Sequence, residues 1–186
     1  MANVDAIKTI REKTQAPIGA IRKALEESGG DEGKALALLR ERGASVALKR
    51  AGHAASEGRV EAYIHHDGKT GVLVEVNCET DFVARTEDFK QFCRDLAMHV
   101  AARQPQYLDT DHVPAGAAAA SGMTEQQFIQ EACLLEQAYI KDQAQTIAQC
   151  VEALTAKTGE RVAVRRFVRF RVGEAPLSGI HAEHVQ

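Results

Sequence analysis

The sequence predicts an α+β fold in which an N-terminal three-helix module is followed by a core of antiparallel sheet packed with helices. Three observations carry this expectation. Apolar residues recur at helical spacing as far as Gly43, the period changes to two from Arg59, and a helical stripe returns after the resulting hairpin. The length of 186 residues suits one compact body with a small module appended, enough to fold without disulfide or metal staples and too short for a large multidomain enzyme. The expected division is 1–43 for the module, 44–57 for a helical linker, 58–176 for the core and 177–186 for a tail.

In the module, Val4, Ile7 and Ile10 fall on one helical face, and Ile18, Ile21 and Leu25 on another, after Pro17 in a first-turn position. Gly29 and Gly30 stop this second helix. Asp31 caps a third, whose Ala35, Leu38 and Leu39 face inward before Gly43 is expected to end it. Such a bundle has little core of its own, and the alanine-rich stretch from Ala44 to Ala55 reads as a helical connector. The boundary falls near Gly58.

Beyond it, Val60, Ala62 and Ile64 alternate with Glu61, Tyr63 and His65, Asp67-Gly68 marks a tight turn, and Val72, Val74, Val76 and Cys78 alternate with Leu73, Glu75 and Asn77. This is a β-hairpin with one buried face. Phe89, Cys93, Leu96 and Val100 then form the stripe of a helix capped by Thr86 and followed by Pro105. From Asp109 to Gly122 no period stands out, and the stretch reads as a loop or weak helix. Thr124 with Gln127 makes a capping-box pattern ahead of Phe128, Ala132 and Leu135. Ile147, Val151 and Leu154 define another helix, ended by Gly159. A last strand runs from Arg161 to Val172, with Val162, Val164, Val168, Phe170 and Val172 on one face and Arg165, Phe167, Arg169 and Arg171 on the other. Pro176 begins the tail.

Composition narrows the function classes. With 23 Lys and Arg against 26 Asp and Glu, the net charge of −3 gives no whole-protein field toward nucleic acid or an anionic membrane. No run reaches the roughly 20 apolar residues of a membrane helix, and Met1 to Asp5 carry no basic region leading into an apolar stretch, so the expectation is a cytoplasmic protein. Cys78, Cys93, Cys133 and Cys150 lie far apart with no CxxC pair and read as free or buried thiols. His65, His66 and Asp67, or His181 and His184, offer too few ligands for a metal site.

Three segments admit a functional and a plain reading. Gly68-Lys69-Thr70 resembles the end of a phosphate loop, but Tyr63 stands where that loop needs glycine, which leaves a hairpin turn. The run Val164 to Arg171 interleaves arginine with aromatics as single-strand nucleic-acid platforms do, or else protects an edge strand with charge. In Asn77 to Arg85, Thr80 caps the turn beginning at Asp81 and puts Phe82 at a corner, either folded back into the core or protruding as an anchor for a partner's pocket. No nucleophile or metal motif announces a reaction, although Cys78 invites a test as a nucleophile.

The residues resemble the elongation factor Ts family across nearly the whole chain. Arg11-Glu12-Lys13-Thr14, Lys23-Ala24-Leu25-Glu26 and Gly30-Asp31 look like its ubiquitin-associated-like module, and Glu75 through Arg85 reads as its signature. Ala97 through Ala102 and Val164-Arg165-Arg166-Phe167 agree as well. The resemblance implies a guanine-nucleotide exchange factor for elongation factor Tu that uses no covalent chemistry and no cofactor. In the family the phenylalanine of the Thr-Asp-Phe-Val motif, here Phe82 in the run Thr80 to Val83, enters an apolar pocket between helices of the GTPase, with Asp81 bonding beside it. The resulting helix shift disturbs Mg²⁺ coordination and releases GDP, and GTP then displaces the factor.

By the same resemblance, Arg11, Ile18 and Gly19 match module contacts to the GTP-binding domain, although Gln15, Pro17 and Gly19 depart from the family's usual Gly-Ala-Gly-Met-Met run. Thr158 and Gly159 resemble a loop near the motif phenylalanine, and His65 a histidine that reaches toward the phosphate-binding loop. Longer members carry two related core halves, whereas this chain carries one. A homodimer packing apolar sheet faces across a two-fold axis would restore the pair, giving a two-to-two complex with no direct nucleic-acid or membrane contact.

Overall fold

A computed structural model describes residues 4–14 and 16–174. Gln15, Pro176, the expected tail at 177–186 and its His181 and His184 lie outside the described residues. The fold is α+β, as expected, with helical N-terminal elements leading into a sheet-and-helix core. Among the described residues no helix is long and apolar enough to cross a membrane.

Helices α1 (Val4–Thr14), α2 (Ile18–Glu27) and α3 (Glu32–Arg50) form the N-terminal bundle. Ile10, Ile21, Ala24, Leu25 and Ala35 make its small core, while Val4 and Ile18, expected on the inward faces, are exposed. Pro17 is the N-cap of α2, and Asp31 caps α3 by accepting the Lys34 amide at 2.9 Å. Gly43 does not end α3. The helix runs on through the first half of the expected linker, to Arg50, because Gly43 is buried in mid-helix as a contact surface rather than a terminator. A Cβ there would meet Ala156 Cβ at 3.8 Å and the Glu152 carbonyl at 3.9 Å.

The central sheet has the order β1-β2-β5, antiparallel throughout, from β1 (Glu57–Ile64), β2 (Thr70–Cys78) and β5 (Ala163–Arg171). Gly58 is obligatory at the start of β1: it adopts φ 148°, and a Cβ would stand 2.2 Å from the Val76 carbonyl oxygen. Directly opposed residues share a face, so the register Glu61↔Val74 and Tyr63↔Val72 turns the β1 aliphatics outward. Val60 and Ile64 are therefore exposed, and Glu61 and Tyr63 lie on the buried side with Val72, Val74 and Val76.

The last strand also departs from strict alternation. Val76 pairs with Val164 but Glu75 with Arg166, so Arg165 is an extra residue, a β-bulge. Past the bulge the faces exchange: Phe167 and Arg169 turn toward the core side, and Val168 and Phe170 join the outer face. Val162 and Val164 are buried, whereas Phe170 and Val172 are exposed, so the five residues expected on one face divide between two.

Between the strands lie α4 (Asp81–Ala84), α5 (Glu87–Arg103), α6 (Ala117–Ser121), α7 (Glu125–Ala132), a short hairpin of β3 (Ala138–Tyr139) and β4 (Asp142–Thr146), and α8 (Ile147–Thr158). Thr86 caps α5, and Phe89, Cys93, Leu96 and Val100 are buried against the sheet. The Thr124–Gln127 capping box forms, but α7 stops at Ala132 and Leu135 falls in a following 3-10 turn. Gly159 ends α8 in the left-handed region at φ 72°. Thr146 and Gln149 form a second capping box at its start, and the β3–β4 hairpin is too short to leave a period in the sequence.

Candidate functional site

The junction of β2 and α4 presents Phe82 to solvent. The ring is 78% exposed on a single helical turn, which decides between the core and protruding readings in favour of protrusion. Thr80 caps the turn through its hydroxyl, which accepts the Val83 amide at 3.4 Å. Ala84 is buried and Val83 packs against the core, so the turn is anchored on one side and offers Phe82 on the other. Asp81, half-buried, pairs with Arg85 at 2.8 Å across one turn. Exposed pairs of this kind contribute little and are easily exchanged for a partner's donor.

Two carboxylates fasten this corner to the end of α8. Glu160 accepts the Thr80 amide at 3.0 Å and the Thr80 hydroxyl at 2.7 Å. Glu79, in return, accepts the Arg161 amide at 2.6 Å. That amide, followed by His53 and Arg50, holds the Glu79 carboxyl below the usual glutamate range. Arg50 lies 3.2 Å from Glu79 and His53 the same distance, while the Arg161 guanidinium donates to the His53 carbonyl at 2.6 Å. The end of α3 is thereby joined to the Phe82 corner.

Thr158 and Gly159 do lie at this corner, immediately before Glu160. The Thr158 hydroxyl is spent internally, donating to the Leu154 carbonyl at 2.9 Å and accepting the Glu160 amide at 3.3 Å. Arg11, Ile18 and Gly19 are exposed on α1 and at the start of α2. His65 is elsewhere. It occupies the β1–β2 turn, half-buried, with Nδ1 3.0 Å from the Tyr63 hydroxyl. The nine residues of β2 separate that turn from Thr80, a span of roughly 27 Å at about 3.4 Å per residue.

Sequence reasoning missed Glu160, Arg161, Arg50 and His53. Their partners are up to 108 residues away in the chain, and no local pattern marks them. The arginine strand is an edge of the sheet, and its residues are partly committed: Arg166 pairs with Glu75 at 2.6 Å and Arg169 with Glu174 at 2.8 Å.

The four cysteines are unpaired. Burial pushes the Cys78 and Cys150 thiols up to about 11 and Cys93 to about 12, the opposite of an activated nucleophile. Among the described residues, no three His, Cys, Asp or Glu side chains gather as metal ligands.

The outer sheet face forms a second feature. Ala62, Leu73 and Val168 align across the three strands, and Ile64 reaches over Gly71 toward Phe170. Val60, Ile64, Leu73 and Phe170 are all exposed there.

Comparison with known proteins agrees with the sequence resemblance. A family profile described as Elongation factor TS matches residues 7–124 and 120–174. The elongation factor Ts of Acetivibrio thermocellus is 44% identical over 94% of this chain and 91% of its own length. The Moorella thermoacetica protein of the same name is 45% identical over 90% of this chain and 94% of its own, and that of Heliobacterium modesticaldum 44% identical over 94% and 91%.

Proposed function

The chain belongs to the elongation factor Ts family, and we propose that it is a guanine-nucleotide exchange factor that binds elongation factor Tu carrying GDP. The observation that carries this reading is Phe82, an aromatic ring 78% exposed on a turn held by a cap and two carboxylates. Such a ring costs solvation free energy in the free protein, and insertion into an apolar pocket recovers it. Thr80, Asp81 and Val83 complete the contact, with the Asp81 carboxylate exchanging Arg85 for a donor on the GTPase.

Ring insertion shifts the pocket helices, loosens Mg²⁺ and so weakens GDP, since phosphate and metal contacts dominate a GTPase's hold on nucleotide. Reciprocity of the coupling then requires that GTP binding expel the factor. No bond is made or broken in the protein, and no cofactor takes part. Arg11, Ile18 and Gly19 of the ubiquitin-associated-like module, residues 1–43, add a second contact, and Thr158 with Gly159 supports the turn beside Phe82. This activity belongs to the cytoplasm, where elongation proceeds.

Exchange in this reading is performed by a homodimer gripping two GTPases. Phe82 and His65 stand at opposite ends of one hairpin, and a second copy packed on the outer sheet face of the core, residues 58–176, brings its own His65 to the GTPase held by the first copy's Phe82. The contiguous apolar row of Ile64, Leu73, Val168 and Phe170 favours this packing.

The deciding experiment is stopped-flow release of a fluorescent GDP analogue from purified elongation factor Tu, with excess unlabelled nucleotide as trap. Acceleration that saturates with factor concentration is expected. A folded chain that gives none would overturn the proposal.

A further inference from the structure

We propose that Glu160 is a positioning residue for exchange, holding the Thr80–Ala84 turn in the orientation that presents Phe82. This rests on the exchange reading above and adds to it a residue outside the recognised motif.

A single turn such as α4 has almost no stability of its own, because nucleation fixes several residues for very few hydrogen bonds. Phe82 contributes little packing, being exposed, and the direct cap from Thr80 to the Val83 amide is long at 3.4 Å. Glu160 makes up the difference. Its Oε1 takes the Thr80 hydroxyl proton at 2.7 Å, which leaves the hydroxyl lone pairs free to face the Val83 amide, and its Oε2 takes the Thr80 amide at 3.0 Å. Both bonds have an ionised acceptor and are stronger than neutral ones.

The carboxylate is itself fixed. Its backbone amide donates to Thr158, whose hydroxyl donates into the last turn of α8, and the neighbouring Arg161 amide is held by Glu79. Residue 79 thus grips 161 while residue 160 grips 80. This reciprocal pair joins β2 and α4 to the start of β5 and restrains the corner against rotation about either chain. Pre-organisation of this kind acts on the productive geometry of the complex.

The test compares wild type, Glu160→Ala, Glu160→Gln, Phe82→Ala and the Phe82→Ala/Glu160→Ala double variant, by GDP-analogue release from elongation factor Tu at saturating factor and well below each melting temperature. Glu160→Ala is expected to lower the saturating rate about fivefold to tenfold. Glu160→Gln, which keeps a carbonyl oxygen for the Thr80 amide, recovers most of it. In the Phe82→Ala background the further loss is under about twofold, because Glu160 acts through that ring.

Amide hydrogen exchange of the free proteins gives a second readout, with protection at Val83 and Ala84 kept in Glu160→Gln and lost in Glu160→Ala. A wild-type rate in Glu160→Ala, an equal loss in the Phe82→Ala background, or unchanged protection at Val83 would each overturn the assignment. If wild type itself fails to accelerate release, the exchange reading falls, and the hydrogen-exchange result then shows separately whether Glu160 holds the turn.

Discussion

His99 and Gln137 meet at 2.9 Å in an interior where both side chains are fully buried. The Gln137 amide nitrogen donates to the Glu131 and Arg103 carbonyls, so its oxygen must face the imidazole and accept from Nε2. Nδ1 in turn accepts the Ile140 amide at 3.4 Å. Both ring nitrogens are committed in the neutral form, and burial lowers the His99 pKa.

This arrangement predicts acid sensitivity. A folded-state pKa below the unfolded value means that the unfolded chain takes up the proton first. Stability is therefore full above the ordinary histidine range and is lost as pH falls through it toward the folded value. Melting temperature should drop progressively below about pH 6.5. NMR should show the His99 ring still neutral where an ordinary histidine is half-protonated. A normal midpoint for His99 would refute the prediction.

Phe82→Ala separates an anchor from a core residue. Because the ring is exposed, melting should change by less than about 0.5 kcal/mol in equivalent stability. Stimulated GDP release should fall by a factor corresponding to at least about 2 kcal/mol, the scale of an interface hot spot. A large fall in melting temperature would mean instead that the ring supports the fold.

Two glycines should respond in opposite directions. Gly43 has helical geometry and only ordinary van der Waals contact around a new Cβ, so Gly43→Ala should stabilise by roughly 0.5–1 kcal/mol. Gly58→Ala places a Cβ 2.2 Å from the Val76 oxygen at a φ that L-residues rarely adopt, and should destabilise by at least about 3 kcal/mol. Thermal or denaturant unfolding of the two variants checks both signs.

Thiol chemistry should be slow in the folded protein. With Cys78 and Cys150 raised to about 11 and Cys93 to about 12, the thiolate fraction near neutral pH is small. Iodoacetamide should label these positions much more slowly in native protein than in urea, as read by mass spectrometry. Rapid native labelling of Cys78 would reopen the nucleophile reading.

The sheet face gives a test of assembly. Leu73 is exposed at the centre of the outer apolar row, so Leu73→Glu should leave the monomer folded and shift sedimentation from a dimeric to a monomeric species. Unchanged sedimentation of a dimer would move its interface elsewhere.

Much of the helical part was legible because its signals are local. Asp31, Thr80, Thr86 and Thr124 all cap the turns that follow them, as their spacing indicates, and Gly159 ends α8. The outlying misreadings have a common cause in contacts between distant segments. Gly43 reads as a stop until α8 is seen against it, and Val168 and Phe170 read as sharing the face of Val162 and Val164 until pairing with β2 reveals the bulge between them. The Phe82 motif was visible as a local oddity. The Glu160 bonds that hold it span 80 residues and left no trace in the sequence around either partner.

The extra residue at Arg165 has a consequence for insertions and deletions. Removing it would join Val164 directly to Arg166, which already oppose the neighbours Val76 and Glu75, so Phe167 and Arg169 would keep the core side and Val168 and Phe170 the outer face. The bulge thus marks the point at which the strand can lose one residue without turning its second half over.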